Sequence, residues 1–239
     1  EWKKHFGSTE FACVIHYNGY EAYTTSLLEE APCPRSIWIH NDMAREVHLK
    51  GNMNPYLLKE AYHTYDHIVP VSEEPVVSEF GADRSRITVI HNCHNYQSVL
   101  ERSLAPVAFN EDTLSNVSLE TLQSVLDSDA PKFISIGRFS PEKGHKRLLD
   151  AFEQYWKEHP DTWLIIIGGV GNLYDETLAH TRALRASDHI ILIRAVTNPM
   201  PILKRCDLFL LSSYYEGQGI VLMEAATLGV PVMACDVSG

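Results

Sequence analysis

The stretch KFISIGRFSPEKGHKRLLDAFEQYWKEHPDTWLIIIG, residues 132–168, decides the fold. It opens on a short apolar run, KFISIG (132–137), and closes on another, WLIIIG (163–168). Between them Leu148, Leu149, Phe152, Tyr155 and Trp156 recur at the spacing of one helical face. A strand, a loop, an amphipathic helix and a second strand form a βαβ unit, whose strands run parallel. WLIIIG shows no apolar/polar alternation, which is the pattern of a strand covered on both faces.

The same rhythm continues in both directions. Downstream lie the helix YDETLAHTRALRA, the strand HIILIR, a short helix near PMPILKR, the strand DLFLLS, the helix IVLMEAATL and the strand VPVMACD. Gly229 follows the last helix as a C-terminal stop. Upstream, FACVI (11–15), SIWIH (36–40), HIVPVS (67–72) and RITVIH (86–91) read as strands. YEAYTTSLLEE, NPYLLKEAYHTY and SEEPVVSEFGA read as helices between them, with Pro75 in a first turn where proline is tolerated. Residues 92–131 are polar and break the rhythm, with one short helix expected at 118–126. The expected organisation is α/β, with two doubly wound parallel-sheet units. A partial first domain covers 1–95, a linker or insert 96–131, and a second domain 132–239 that is incomplete at its end.

Composition narrows the function. The chain has 239 residues, 45% hydrophobic and 21% charged, which is ordinary for a globular protein. Its 31 acidic and 20 basic residues give a net charge of −11. That argues against nucleic acid as a partner, because such binding needs a basic footprint. No apolar run reaches the roughly 18 to 20 residues that span a bilayer, so no integral membrane segment is expected. The start, EWKKHFGSTEF, has neither Met nor an apolar leader and reads as a cut within a longer protein. Five cysteines, odd in number and without CxxC, read as reduced thiols. NVS at 116–118 fits an N-glycosylation triplet, of a kind that arises by chance.

Four pieces can carry chemistry. In GRFSPEKG, Arg138 and Lys143 follow a strand end, where open α/β sheets bind ligands. Two cations there can hold a diphosphate, or can be solvated loop charges. In IIIGGVGN (165–172) a glycine-rich turn permits close approach of a ligand, or is a plain tight turn. It lacks the last glycine of a dinucleotide fingerprint, since position 174 is tyrosine. In SSYYEGQGIVLMEAATLGVPV (212–232) a helix begins near Gly219. The N–H groups of Gly219, Ile220 and Val221 then form a ready anion site. Glu216 lies before that helix and Glu224 about one turn inside it, suited to the hydroxyls of a ribose or sugar; local capping or pairing is the alternative for Glu224. Finally, His40 ends the strand SIWIH and can reach a crevice or be a satisfied structural histidine. HNCH (91–94) has ligand-like His spacing but no accompanying Cys or carboxylate set, so no metal site is expected.

Taken together, GRFSPEKG, IIIGGVGN, CDLFLLSSYYEGQGIVLMEAATLGVPVMACDVSG, WIHND, DHIVPVSE and RITVIHNCHN resemble the retaining nucleotide-sugar glycosyltransferases of GT-B fold, family 4 in particular. The resemblance is dense over 132–239 and looser but colinear over 36–95. It implies a fold of two Rossmann-like units, both cut short here, and transfer of a sugar from a nucleoside-diphosphate sugar to a hydroxyl acceptor. It implies that Arg138, Lys143 and the N–H groups of Gly219, Ile220 and Val221 hold the donor diphosphate. Glu224 would hold the ribose, Arg194, Ala195 and Val196 the base, and Glu216 and His40 the donor sugar at the catalytic centre. No cofactor or metal is implied. The partners are the donor and a glycan or lipid-linked acceptor, in cell-surface polysaccharide or teichoic-type synthesis. The location is cytoplasmic, with peripheral association at the inner face of the plasma membrane. Against the family pattern, the chain starts after the first strand and its glycine-rich loop, and stops before the closing helix. HNCHN also departs from the usual proline-containing hinge.

Two other readings use the same residues. Glu216 and Glu224 are a candidate carboxylate pair of a glycoside hydrolase, in which such groups lie ~5 to 9.5 Å apart. A non-catalytic nucleotide- or partner-binding module would keep the fold alone. An NAD dehydrogenase fits least, for want of a complete fingerprint.

Overall fold

The structure is a computed structural model that describes residues 1–17, 21–50, 54–72, 74–78, 80–169 and 171–237. Tyr20, Glu73, Glu79, Val170 and residues 238–239, which fall in the stretches read above, lie outside the described residues. The chain divides into two units. The first holds Glu1–Cys93 with Tyr215–Gln218; the second holds His94–Tyr214 and Gly219–Val237.

The first unit contains α1 (Trp2–Phe6), β1 (Val14–His16), α2 (Ala22–Glu29), β2 (Arg35–Ile39), α3 (Met43–Lys50), α4 (Pro55–Thr64), β3 (His67–Pro70) and α5 (Glu74–Ser78). Its three strands pair in parallel in the order β1-β2-β3, with Ile37 opposite both His16 and Ile68. Local chemistry sets the helix starts. The Glu21 carboxylate accepts from the N–H groups of Tyr23 and Thr24. Asn54 caps α4, with Pro55 at the first position, where its missing N–H costs nothing. Ile37, Ile39, Met43, Leu58, Tyr62 and Ile68 form the core.

RITVIH, expected as a strand, is not one. Residues 84–86 form a 3₁₀ turn, and among the described residues the run beyond pairs with β3 as an isolated Ile68–Ile87 bridge rather than a ladder. The N–H groups of Thr88 and Ile90 donate to the carbonyls of Ile68 and Pro70. The return bond of a parallel ladder would come from the N–H of residue 70, which proline lacks.

In the second unit, α6 (Tyr96–Arg102), β4 (Leu114–Ser115) and α7 (Leu119–Asp127) precede β5 (Lys132–Ile136), α8 (His145–Trp156) and β6 (Trp163–Gly168). α9 (Tyr174–Ala183), β7 (Ile190–Arg194), α10 (Met200–Leu203), β8 (Leu208–Leu211), α11 (Ile220–Thr227) and β9 (Val232–Ala234) follow. The six strands lie in the order β4-β7-β6-β5-β8-β9, parallel except for β4 against β7. Residues 96–131 thus hold two helices and an edge strand, and Val99, Leu122, Val125 and Leu126 are buried in this unit's core.

The period-2 arithmetic of β6 explains why WLIIIG is apolar throughout. Leu164 and Ile166 pack with Leu148, Leu149 and Phe152 of α8 and Tyr174 of α9. Ile165 and Ile167 pack on the other face with Leu122 of α7, Ile202 of α10 and Ala225 of α11. All four are at most 2% exposed, and burying each such side chain stabilises by about 1.5–3 kcal/mol. The chain winds outward from β5 through β6 to β7, then returns to β8 beside β5 and winds the other way to β9. The adjacent C-terminal ends of β5 and β8 are therefore the topological switch point, where open α/β sheets bind ligands.

Candidate functional site

The loops after β5 and β8 meet at that switch point. After β5, Arg138 donates to Glu142 Oε1 at 2.8 Å, and the Ser140 hydroxyl donates to the same oxygen at 2.7 Å. Glu142 is buried, while half of the Arg138 side chain stays exposed. The Lys143 stem lies along Gly137. After β8, the Ser212 hydroxyl donates to the Lys143 carbonyl (2.8 Å) and the Tyr214 N–H to the Glu142 carbonyl (2.7 Å). Arg147 spans both segments. Its Nε donates to the Ser212 carbonyl (2.7 Å), its Nη2 to that of Ser213, and its guanidinium lies 4.1 Å from the Tyr214 ring centre. Two loops far apart in sequence are thus cross-tied into one rigid edge.

His145 braces the first loop from below. Its Nε2–H donates to the carbonyls of Arg138 (3.0 Å) and Gly137 (3.3 Å), which leaves Nδ1 as the buried acceptor, without a hydrogen-bond partner. Burial lowers its pKa below the ordinary histidine value, only partly offset by those carbonyls. It is therefore held neutral.

Gly219 has φ 60° and ψ 47° and forms the cap of α11. This left-handed geometry costs a residue with a Cβ roughly 1–2 kcal/mol. The turn sets the direction of the helix start, so that Ile220 and Val221 present first-turn N–H groups, which lack intrahelical partners. One turn on, Glu224 Oε1 accepts from Arg102 Nη2 at 3.2 Å.

Arg194 ends β7, with its guanidinium 5.9 Å from the centre of the Tyr174 ring. Ala195 has φ 62°, the one left-handed non-glycine among the described residues. Its N–H donates to the Gly168 carbonyl (2.8 Å), and its own carbonyl accepts from the Thr113 hydroxyl (3.2 Å). Val196 packs against the core. Such an over-determined strained position is often a ligand-facing one.

His40 and Glu216 belong to the first unit. His40 has an oxygen beside each ring nitrogen: Nε2 lies 3.0 Å from the Tyr17 carbonyl oxygen and Nδ1 3.2 Å from Asn92 Oδ1. Next to Glu216, Gly217 lies against the His40 carbonyl so closely that a Cβ would overlap it. Gln218 accepts from the Asn92 N–H, and the Tyr215 hydroxyl donates to Glu46.

Of the residues expected from sequence, the second unit thus carries Arg138, Lys143, Arg194, Ala195, Val196, Gly219, Ile220, Val221 and Glu224. The first carries His40 and Glu216. The histidines of HNCH go to separate partners, His91 to the Val71 carbonyl and His94 to the Thr227 hydroxyl. Among the described residues no group of three His, Cys, Asp or Glu side chains is placed to hold a metal, and no helix is long and apolar enough to cross a membrane. Sequence reasoning missed Glu142, His145, Arg147 and Arg102. Glu142 sat inside GRFSPEKG as a signal; the other three had none.

Residues 120–239 match the family described as Glycosyl transferases group 1. An uncharacterized glycosyltransferase of Methanocaldococcus jannaschii is 25% identical over 206 residues, covering 84% of this chain and 47% of its own. A 4-alpha-N-acetylgalactosaminyltransferase of Campylobacter jejuni, named for a diphospho-undecaprenol-linked acceptor, is 24% identical over 217 residues, 89% of this chain and 51% of its own. The chain spans about half the length of these curated relatives. Among solved structures, Anabaena HepE in complex with UDP and glucose aligns with TM-score 0.74, 16% identity, 96% of this chain and 60% of its own. Sucrose-phosphate synthase from Thermosynechococcus elongatus aligns with TM-score 0.74, 17% identity, 100% of this chain and 59% of its own. The α/β architecture with parallel sheets is the GT-B fold of these neighbours.

Proposed function

The chain belongs to the Glycosyl transferases group 1 family, and from that premise we propose that the protein moves a sugar from a nucleoside-diphosphate donor to a hydroxyl acceptor with retention, as a family 4 member. The observation that carries this is the cross-tied edge at the switch point, where a half-exposed Arg138, Lys143 and the start of α11 stand at the ends of adjacent strands. Residues 1–95 serve as the acceptor-side domain and 132–239 as the donor side.

Arg138 and Lys143, with the N–H groups of Gly219, Ile220 and Val221, hold the diphosphate. As the C1–O bond to the leaving phosphate breaks, negative charge grows on that oxygen, and these fixed donors stabilise it. The chain's own cations meet that charge, so no metal is assigned a step. The acceptor hydroxyl forms the new bond at C1 on the same face, and its proton passes to the departing diphosphate. Glu224 accepts from the ribose, the backbone at Arg194, Ala195 and Val196 contacts the base, and Glu216 and His40 position the sugar. The named acceptor of the Campylobacter relative favours a lipid-linked or cell-surface glycan, reached from the cytoplasmic side by peripheral membrane association.

The test is a screen of UDP-, GDP-, ADP- and CDP-sugars with the full-length protein, following nucleotide release and the anomeric configuration of the product by NMR. One donor should turn over with its configuration kept, and Glu216→Gln should abolish turnover while nucleotide binding persists. Release from none of the four classes contradicts the proposal, and an inverted product contradicts retention.

A further inference from the structure

We propose that Arg102 is the positioning residue for nucleoside recognition: it holds Glu224 by one carboxylate oxygen and leaves the other for the ribose hydroxyls. The inference rests on the reading of Glu224 as the ribose ligand. Arg102 is the last residue of α6, a helix started by the Asn95 side chain and anchored by the buried Val99. Its Nη2 donates to Glu224 Oε1 at 3.2 Å, the one hydrogen bond to that carboxylate among the described residues. Its Nε turns back to the Ser98 carbonyl (3.4 Å), and its own carbonyl accepts from Asn198 Nδ2 (2.8 Å). Asn198 lies just beyond Arg194, Ala195 and Val196, so one residue links the carboxylate of α11 to the segment assigned to the base.

A second tie joins α11 to the segment just before α6. The Thr227 hydroxyl donates to the Met223 carbonyl (2.8 Å) and so accepts from His94 Nε2–H (2.8 Å), one turn along α11 from Glu224. α11 is thereby tied about one turn from Glu224, and Arg102 holds the Glu224 carboxylate itself. Arg102 is 43% and Glu224 19% exposed at the side chain. A pair this open adds little to stability. Its effect falls on the ligand instead, because an acceptor already held in one rotamer loses less freedom when the ribose arrives.

The experiment is calorimetric titration of the full-length protein with UDP, GDP, ADP and CDP and with their 2′-deoxy counterparts. The wild type should prefer the ribonucleoside form of its nucleotide by about tenfold, as expected for loss of a hydrogen bond to a charged group. Glu224→Gln should erase most of that preference. Arg102→Ala should weaken the ribonucleotide about fivefold and the deoxynucleotide less than twofold, and Arg102→Lys, which keeps one donor, should fall between. A merely structural role would weaken both nucleotides alike. Melting of each variant without nucleotide checks its fold, and Arg102→Lys decides the matter where the alanine variant fails to fold. A wild type that binds no nucleoside diphosphate, or binds both forms equally, overturns the ribose reading and the proposal with it. A wild type that discriminates through Glu224 beside an Arg102→Ala that discriminates as well, or binds more tightly, overturns the proposal alone.

Discussion

Replacing Arg147 by alanine removes the brace between the two site loops. The guanidinium makes charge-assisted bonds to the carbonyls of Ser212 and Ser213 and covers the Tyr214 ring. Ser212 and Ser213 are both buried, at 7% and 1% exposed. Bonds of this kind contribute roughly 1.5–3 kcal/mol each, and the ring contact adds about 0.5–1 kcal/mol. Water reaching the carbonyls from the open side recovers part of this, which leaves a net cost of about 3 kcal/mol, large for one substitution. Arg147→Lys keeps one bond and the charge over the ring, and should cost about half as much. The chain has four tryptophans, with Trp156 and Trp163 in the second unit. Urea denaturation followed by fluorescence in a Trp2→Phe, Trp38→Phe background therefore reports that unit alone. The midpoint should fall in the order wild type, lysine, alanine, and amide exchange at Tyr214, whose N–H is bonded to Glu142, should accelerate. A loss under about 0.5 kcal/mol for alanine, or full rescue by lysine, refutes the idea that a forked cation ties the loops.

Further consequences follow from the same geometry. Gly219→Ala forces a Cβ into left-handed backbone beside Leu222; it should cost about 1–2 kcal/mol and weaken nucleoside diphosphate binding, and unchanged affinity by calorimetry contradicts the helix-start site. His145 is held neutral, with a folded pKa below its ordinary value, so above pH 6.5 its contribution is complete. As the pH falls below that, the unfolded chain binds a proton that the folded chain does not, and stability drops. His145→Asn should flatten the fall of denaturation midpoint between pH 7 and 5. An unchanged slope contradicts the burial argument.

How much of this was legible in the sequence depended on where the deciding contacts lay. WLIIIG announced itself because both faces of β6 are covered, so every side chain obeys one rule. RITVIH carried the same signal and misled, because the missing N–H belongs to Pro70 on the neighbouring strand. The helix α6 was hidden in a polar tract: YQSVLER has too few apolar positions to show a face, and burial of Val99 fixes it. The GRFSPEKG and YYEGQG loops were readable as loops beyond strand ends. The tie between the loops after β5 and β8 was not, since Arg147 and Ser212 are 65 residues apart, and neither was the helix-to-helix pair of Arg102 and Glu224, 122 apart. Sequence spacing reports local geometry, and these pairings are made by the sheet order.

The most direct measurement of the central claim is thermal melting of the full-length protein with UDP, GDP, ADP and CDP, for wild type and Arg138→Ala. Ligand at a hundred times its Kd stabilises the folded state by about 2.7 kcal/mol. One nucleotide should therefore raise the wild-type Tm by several degrees, and Arg138→Ala should lose most of that rise at the same concentration. No shift with any of the four, or an equal shift in Arg138→Ala, would contradict a donor diphosphate site at the ends of β5 and β8.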